Sequence, residues 1–299
     1  MTISVKIIAD SISPQGVRLT TFELEYPRFI HAEIMTHRMF SRNAQSSRAV
    51  PVNKSLEQAI ISPVVWGANK AGMSSTETLS QEAQNEVAYY WHALARYCQD
   101  FAGRMAKAGL HKQWANRCLE WFSPIKVVIT ATEWDNFFWL RDDPEAAQPE
   151  IVELAHKMKE AMQESVPQTL QPGQWHLPYV LTAFGLEDDP VGYFLMESFE
   201  TGNTYTRIDL ETAKRVSAGC CAAVSYRNNP SVEKCLDIWE KLFSGPKPHL
   251  SPVEHQATPM EYWINDDVRG WENGVTHCDR NDILWSGNLQ GWIQLRQVI

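Results

Sequence analysis

Between Tyr26 and Arg48 the chain collects residue types suited to holding a small anion. From Ile34 to Leu56 there is no acid, while Arg38, Arg42, Arg48 and Lys54 supply four positive charges in a chain of net charge −9. His37, Asn43, Gln45 and Ser46 lie among them. Guanidinium groups match phosphate oxygens in bidentate fashion, and hydroxyls and amides add neutral donors. The stretch therefore reads either as a phosphate site or as a solvated turn with scattered arginines. Pro27 suits the first turn of a helix, here expected to run to about Phe40. On such a helix Glu33, His37 and Ser41, spaced i, i+4, i+8, share one face. His37 is then a core histidine bonded to Glu33 or part of the basic site. The adjacent Arg38 and the basic residues one turn on favour the site.

The elements that must position these residues follow from periodicity. Residues 3–9 and 17–25 read as strands, the second with apolar weight on both faces. A long helix is expected from about Ser80 to Ala108, where Val87, Trp91, Leu94, Cys98, Phe101 and Met105 repeat at helical spacing and Gly109 follows as a C-cap. That stripe reads as packing. His111–Trp121 reads as a second helix, Ile125–Thr130 as a β-branched strand, and Pro149 opens another helix. Residues 67–79 read as a loop. Residues 167–205, rich in Pro, Gly and aromatics, read as loops with short strands. Helices follow at about 209–223 and 231–243, the second with Ser231 as N-cap.

Composition excludes several classes. With 44% hydrophobic and 21% charged residues the chain is an ordinary globular one, and 299 residues suffice for a large core. An acidic balance argues against bulk nucleic-acid binding. No apolar run is long enough for a membrane helix, and the N-terminus lacks a signal peptide's apolar region. The six Cys form no CxxC pair and read as reduced, cytoplasmic and mostly buried. Twelve Trp serve either packing and interfaces or stacking on flat ligands. There is no GxGxxG, Walker A or HExxH motif and no Cys cluster, so no metal site is expected. Cys118 and Ser46 have no local base signature, and no catalytic nucleophile is assigned.

His37-Arg38, seven residues, then Ser46, with Asn43 and Arg48 at fixed spacing, resembles the Arg-His-Arg-(x)7-Ser signature of the flavin-dependent thymidylate synthases. Thr36 stands where that family has its first Arg, Ala44 where it has Glu, and Glu33 where it has Gln. The resemblance resumes at Asn136-Phe-Phe-Trp-Leu-Arg141, Ala147-Gln148 and Glu150-Ile151, where Val152 replaces a family Arg that contacts the pyrimidine. A third match, His249-Leu-Ser-Pro-Val-Glu-His255, belongs before the signature in the family but follows it here by some 200 residues. Ala213–Ser217 and Val224–Asn228 also resemble the family's N-terminal region. The segment order thus suggests a circular permutation, which closely spaced termini tolerate.

This resemblance implies an α+β fold, an antiparallel sheet with long helices, in a single domain over 1–299. Residues 17–160 would bear the signature and 209–299 the rearranged flavin-binding part. It implies transfer of a one-carbon unit from methylenetetrahydrofolate to C5 of a pyrimidine deoxynucleoside monophosphate, dUMP to dTMP, with FAD and NADPH, in a cytoplasmic homotetramer. Alternatives are the same chemistry on dCMP, hydroxymethylation, or a non-catalytic flavin- and nucleotide-binding paralogue. FAD would be held by His37, Arg38, Asn43, Arg141 and His255. The nucleotide would be held by Glu33, Gln45, Ser46, Arg48 and Lys126. The tail Gly287–Arg296 is a candidate further edge of the site.

Overall fold

The computed structural model describes residues 3–71, 75, 77–185, 190–199, 202–225, 231–243, 245–266 and 268–299. In chain order the elements are β1 (Ser4–Ile12), β2 (Arg18–Pro27), α1 (His31–Met35), β3 (Ser41–Ala44), α2 (Val52–Leu56), α3 (Gln81–Lys107), α4 (Lys112–Ala115) and β4 (Pro124–Ala131). There follow α5 (Asp135–Arg141), α6 (Pro149–Glu164), β5 (Gln168–Thr169), β6 (Val180–Phe184), β7 (Pro190–Phe199), β8 (Gly202–Ile208), α7 (Leu210–Ala222) and α8 (Val232–Phe243). The chain closes with β9 (Ala257–Pro259), β10 (His277–Cys278), β11 (Leu284–Ser286), β12 (Leu289–Gln290) and β13 (Trp292–Gln294).

β2 is the spine, as its two-sided apolar pattern predicts. The main sheet has the order β3-β4-β2-β1-β5, antiparallel except for the short β1–β5 pair. Successive residues of a strand face opposite sides, and the two sides differ in chemistry. Phe22, Leu24 and Tyr26 of β2, with Val127, Ile129 and Ala131 of β4, join Ile151, Leu154, Ala155 and Met158 of α6 in the largest core cluster. Burying each of the larger aliphatic and Phe side chains among them contributes about 1.5–3 kcal/mol. The other side is polar where the strands meet the C-terminal half. Tyr179 Oη donates to Glu23 Oε2 at 2.6 Å, and Thr21 and Thr130, cross-strand partners, lie 2.7 Å apart through their hydroxyls.

Helix α1 is much shorter than expected. After a 3-10 turn at Arg28–Ile30 it ends at Met35, because the Arg42 guanidinium takes the carbonyls of Met35 and His37 at 2.8 and 3.1 Å. The Thr36 hydroxyl also takes the Glu33 carbonyl. His37 and Ser41 are therefore not on one helical face with Glu33, and Ser41 opens β3 instead.

Helix α3 meets its predicted bounds, with Ser80 capping the Ala83 N–H and Gly109 at φ +91° ending it in the left-handed region. Its stripe is only partly packing. Trp91 Nε1 donates to the Ile61 carbonyl, but Leu94 and Phe101 are exposed, together with Tyr90 and Tyr97. The predicted helix after His111 forms as α4 continuing into a 3-10 run, Asn116–Phe122. Val180–Phe184, Pro190–Phe199 and Gly202–Ile208 form longer strands than expected, the antiparallel sheet β6-β7-β8. Part of the 67–79 loop and of the Val224–Asn228 match lies outside the described residues.

Helices α7 and α8 pack so closely that a Cβ on Gly219 would sit 2.5 Å from the Cys235 carbonyl oxygen. Beyond them the C-terminal segment returns to the signature. Asn288 Nδ2 donates to the Met39 carbonyl at 2.8 Å, and Gln294 Nε2 lies 2.9 Å from the Glu254 carbonyl and 3.3 Å from Ser41 Oγ. Among the described residues no helix is long and apolar enough to cross a membrane.

Candidate functional site

The turn that ends α1 and the helix α5 converge on one cleft. It has a volume of about 530 Å³. The residues Thr36–Phe40 form one wall, Glu133 with Asn136, Phe137 and Leu140 a second, and Asp279, Asn281, Ile283, Trp285 and Gln290 a third. The third wall is the C-terminal hairpin, fixed in place by the Asn288–Met39 contact.

Arg141, at the end of α5, organises the first wall. Its Nε–H donates to His37 Nε2 at 3.0 Å, Nη1 donates to Glu33 Oε2 at 3.1 Å, and Nη2 lies 3.4 Å from Thr36 Oγ1. Because Nε2 accepts, the neutral His37 ring carries its proton on Nδ1. Desolvation in the core pushes His37 down to about 4, helped by the positive charges of Arg141 and Arg42. The ring is thus a neutral imidazole, packed edge-on against Phe137 at 4.9 Å. Position 36, where the family carries an arginine, is a threonine here, but the Arg141 guanidinium lies against it. The sequence pairing of Glu33 with His37 is replaced by both residues pairing with Arg141, the Glu33 carboxylate forming an ion pair with it. Arg38 is exposed on the cleft wall.

The other half of the signature sits elsewhere. Ser46 and Arg48 are exposed beyond the far end of β3, whose own length is on the order of 13 Å at the usual strand rise. The Arg48 N–H donates to Ser46 Oγ at 3.3 Å, forming a small turn. Gln45 is tied to the strand edge, its N–H donating to the Lys126 carbonyl and its Oε1 accepting from the Lys126 N–H. The Lys126 ammonium pairs with Glu25 at 3.5 Å. Behind this turn a buried set holds its shape: Arg28 donates to the Gln45 carbonyl, Asn116 to the carbonyls of Ser47 and Val50, and Ser47 to Glu120. Thus His37, Arg38 and Arg141 come together, and Gln45, Ser46, Arg48 and Lys126 come together, the two groups standing before and after β3.

Two expected ligand contacts lie in the interior. Asn43 is buried in β3 and donates to the Cys221 carbonyl at 3.2 Å. His255 is wholly buried, its Nδ1 2.7 Å from Thr130 Oγ1. Its segment does reach the signature strand, because Thr130 pairs with Ser41, yet the ring packs behind the sheet and not against the cleft. Desolvation pushes His255 to about 3, with His176 adding a small repulsion. Val152 packs against the main core. Cys118 is partly buried and its thiol is raised by desolvation, as an unreactive cysteine requires. No group of His, Cys, Asp and Glu able to hold a metal occurs among the described residues.

Sequence reasoning missed Glu133, Asn281 and Trp285, and named the tail containing Gln290 without a role. Their signal is tertiary: no spacing links position 281 to position 38.

A family model described as thymidylate synthase complementing protein matches residues 13–168, just over half of the chain. No curated protein matches. Among solved structures, the chain is similar to a UMP/dUMP methylase PolB from Streptomyces cacaoi bound with 5-Br UMP, at 18% identity and a TM-score of 0.46, over 55% of this chain and 89% of that one. A second structure of that protein, bound with 5-Br dUMP, is similar at 16% identity and the same TM-score, over 55% of this chain and 90% of that one. With its signature on β3 and the turn before it, its Asn-Phe-x-x-Leu-Arg run on α5 and its matched span covering β2, β3 and β4 of the main sheet, the chain belongs to the thymidylate synthase complementing proteins, the flavin-dependent thymidylate synthase family, and is a methyltransferase-type enzyme.

Proposed function

We propose that the protein methylates C5 of a pyrimidine deoxynucleotide, converting dUMP to dTMP with methylenetetrahydrofolate as one-carbon donor, NADPH as reductant and FAD as cofactor. The observation that carries this reading is the Arg141–His37–Glu33 constellation, whose His37 lines a cleft large enough for a ring system. When bound, FAD would supply the hydride chemistry that converts the transferred carbon into a methyl group. The chain's own residues bind and orient. Arg38 offers a guanidinium without a partner among the described residues at the cleft mouth, and Arg141 holds the neutral His37 ring in one tautomer. Ser46 and Arg48 offer a hydroxyl and a guanidinium for the nucleotide phosphate at the other end of β3.

That separation supports a homo-oligomer, the tetramer implied by the family. A site needing both ends of β3 requires the second end from another copy. The exposed side chains Tyr90, Leu94, Tyr97 and Phe101, at spacings of 4, 3 and 4 along α3, form a helical seam suited to such an assembly. The contact of the Ser251–Glu254 turn with Ser41 through Gln294 supports the permuted order within one domain over 1–299. A cytoplasmic location accords with six free cysteines.

A second reading concerns the base. Val152 packs into the core where the family has a pyrimidine-contacting arginine, so discrimination against dCMP loses that donor. The decisive experiment is the absorbance spectrum of the purified protein, followed by turnover with dUMP, methylenetetrahydrofolate and NADPH. A yellow protein that forms dTMP is expected. A colourless protein that neither takes up FAD nor turns over dUMP overturns the reading.

A further inference from the structure

The hairpin between β10 and β12 lies beyond the family-matched span, yet it supplies one full wall of the cleft. Its own shape is explained by a few contacts. Asp279 Oδ1 accepts from the N–H groups of Asn281 and Ile283, and Oδ2 accepts from Trp285 Nε1. The Trp285 ring stacks on His277 at 12° and 5.9 Å. The Gln290 N–H donates to Thr132 Oγ1 and the Asn288 amide clamps the hairpin to Met39. Folding thus uses the backbone of Asn281 and Gln290 but not their side chains. Both carboxamides line the cleft, and neither has a hydrogen-bonding partner among the described residues. The same holds for the Arg38 and Asn136 side chains on the other two walls.

Carboxamides both donate and accept, whereas a guanidinium only donates. Between these polar heads the cleft offers Met39, Leu140, Ile283 and the fixed Trp285 ring. Apolar surface flanked by a few placed polar groups is how a pocket holds a flat ligand by faces and edge at once. A sugar, with hydroxyls on every side, would leave those apolar faces poorly used. A fused heteroaromatic ring presents two apolar faces and an edge of alternating donors and acceptors.

We infer that Asn281 and Gln290 are specificity-determining residues that read the polar edge of a fused heteroaromatic ring held in the cleft beside Arg38. This inference rests on the flavin reading above, which makes that ring the isoalloxazine, and adds to it a recognition wall outside the family-matched span.

The test is a titration of FAD and of FMN, which share the ring but not the adenosine half, into unmodified protein and an Asn281→Ala/Gln290→Ala variant, followed by flavin fluorescence. Both side chains lack internal partners, so the variant should keep the parent's near-ultraviolet circular dichroism and melting temperature. Gln290→Glu, of the same length but without the N–H donors, is a second variant should the double one fail to fold. The expected result is about a tenfold or greater loss of affinity for both flavins in the double variant, with Gln290→Glu also weakened. Unchanged affinities in the folded variants would overturn the inference and leave the flavin reading standing. A loss for FAD alone would also overturn it, because the ring would not be what is read. Failure of the unmodified protein to bind either flavin would overturn the flavin reading first, and this inference with it.

Discussion

His37 and Arg141 lie 104 positions apart in sequence, and the Arg141 Nε–H donates directly to His37 Nε2 at 3.0 Å. This contact joins the turn after α1 to the end of α5 and sets the tautomer of the ring.

Arg141→Ala should free His37 from its second depressing influence, after desolvation. The His37 pKa should rise from about 4 toward its ordinary range, as read by NMR titration, and flavin affinity should fall by tenfold or more. Arg141→Lys keeps the charge but loses the planar fork, and should restore only part of the affinity. An unmoved His37 titration in Arg141→Ala would refute the coupling.

Acid should weaken the fold through four histidines, one of them His31, which desolvation holds at about 4. His37 is held at about 4, and His176 and His255 at about 3, mainly by desolvation. Each folded value lies below the ordinary 6.5, so the unfolded chain binds more protons between them. Their contribution is fully present above pH 6.5 and is lost as pH falls through 4 and 3. Urea midpoints measured from pH 7 to 3.5 should fall steadily. Thr130→Val, which strips a buried partner from His255 and Thr21, should cost about 1–3 kcal/mol at pH 7. A flat profile would count against this account.

Arg48→Ala should weaken nucleotide monophosphate binding by roughly ten- to a hundredfold, the worth of a charge-assisted contact of about 1.5–3 kcal/mol. With Val152 packed in the core and Glu33 paired to Arg141, dCMP should compete with dUMP. Calorimetric titration of both into the flavin-loaded protein measures this, and a dUMP preference of a hundredfold or more would contradict it.

Charge placed on the α3 seam should dissociate the assembly. Tyr97→Glu with Phe101→Glu should lower the sedimentation coefficient to that of a single chain while leaving the helical circular dichroism intact. If the unmodified protein already sediments as a monomer, the seam has another use.

Gly219→Ala should destabilise by about 1–3 kcal/mol or more, since its Cβ would meet the Cys235 backbone at 2.5 Å and backbone cannot step aside. A melting temperature within one degree of the parent would show that α7 and α8 can separate at no cost.

Much of the scaffold was legible because its signals are local. The periodicity from about Ser80 to Ala108, the C-cap at Gly109 and the β-branched run Ile125–Thr130 need no distant partner. The end of α1 was not legible: Pro27 and the residues after it read as one helix, and only Arg42, returning from β3, takes the carbonyls that would have continued it. The signature's spacing singled out His37 and Arg38, which line the cleft, but could not show that β3 would stand between them and Ser46 and Arg48. His255 matched a motif, yet its burial depends on Thr130 and on the sheet face turned toward the C-terminal half. Asn281 and Gln290 carried no pattern at all, because their positions come from the Asn288 clamp.

The row of polar groups behind the sheet has a direction. Ser11 Oγ meets His176 Nδ1, His176 Nε2 meets Thr21 Oγ1, Thr21 meets Thr130, and Thr130 meets His255 Nδ1, each at 2.7–2.8 Å. A hydroxyl gives one proton and an uncharged imidazole gives one, so every member must hand its proton the same way along the row. His255 Nε2 is buried without a partner among the described residues. An orphaned N–H is rarer in protein interiors than an orphaned acceptor, which selects the order running from His255 Nδ1–H toward Ser11. His176 then carries its proton on Nδ1, and the two rings share one tautomer although two strands, β2 and β4, lie between them. Turning either ring over would require every hydroxyl in the row to turn with it, so the two halves of the protein are locked to a single polarity.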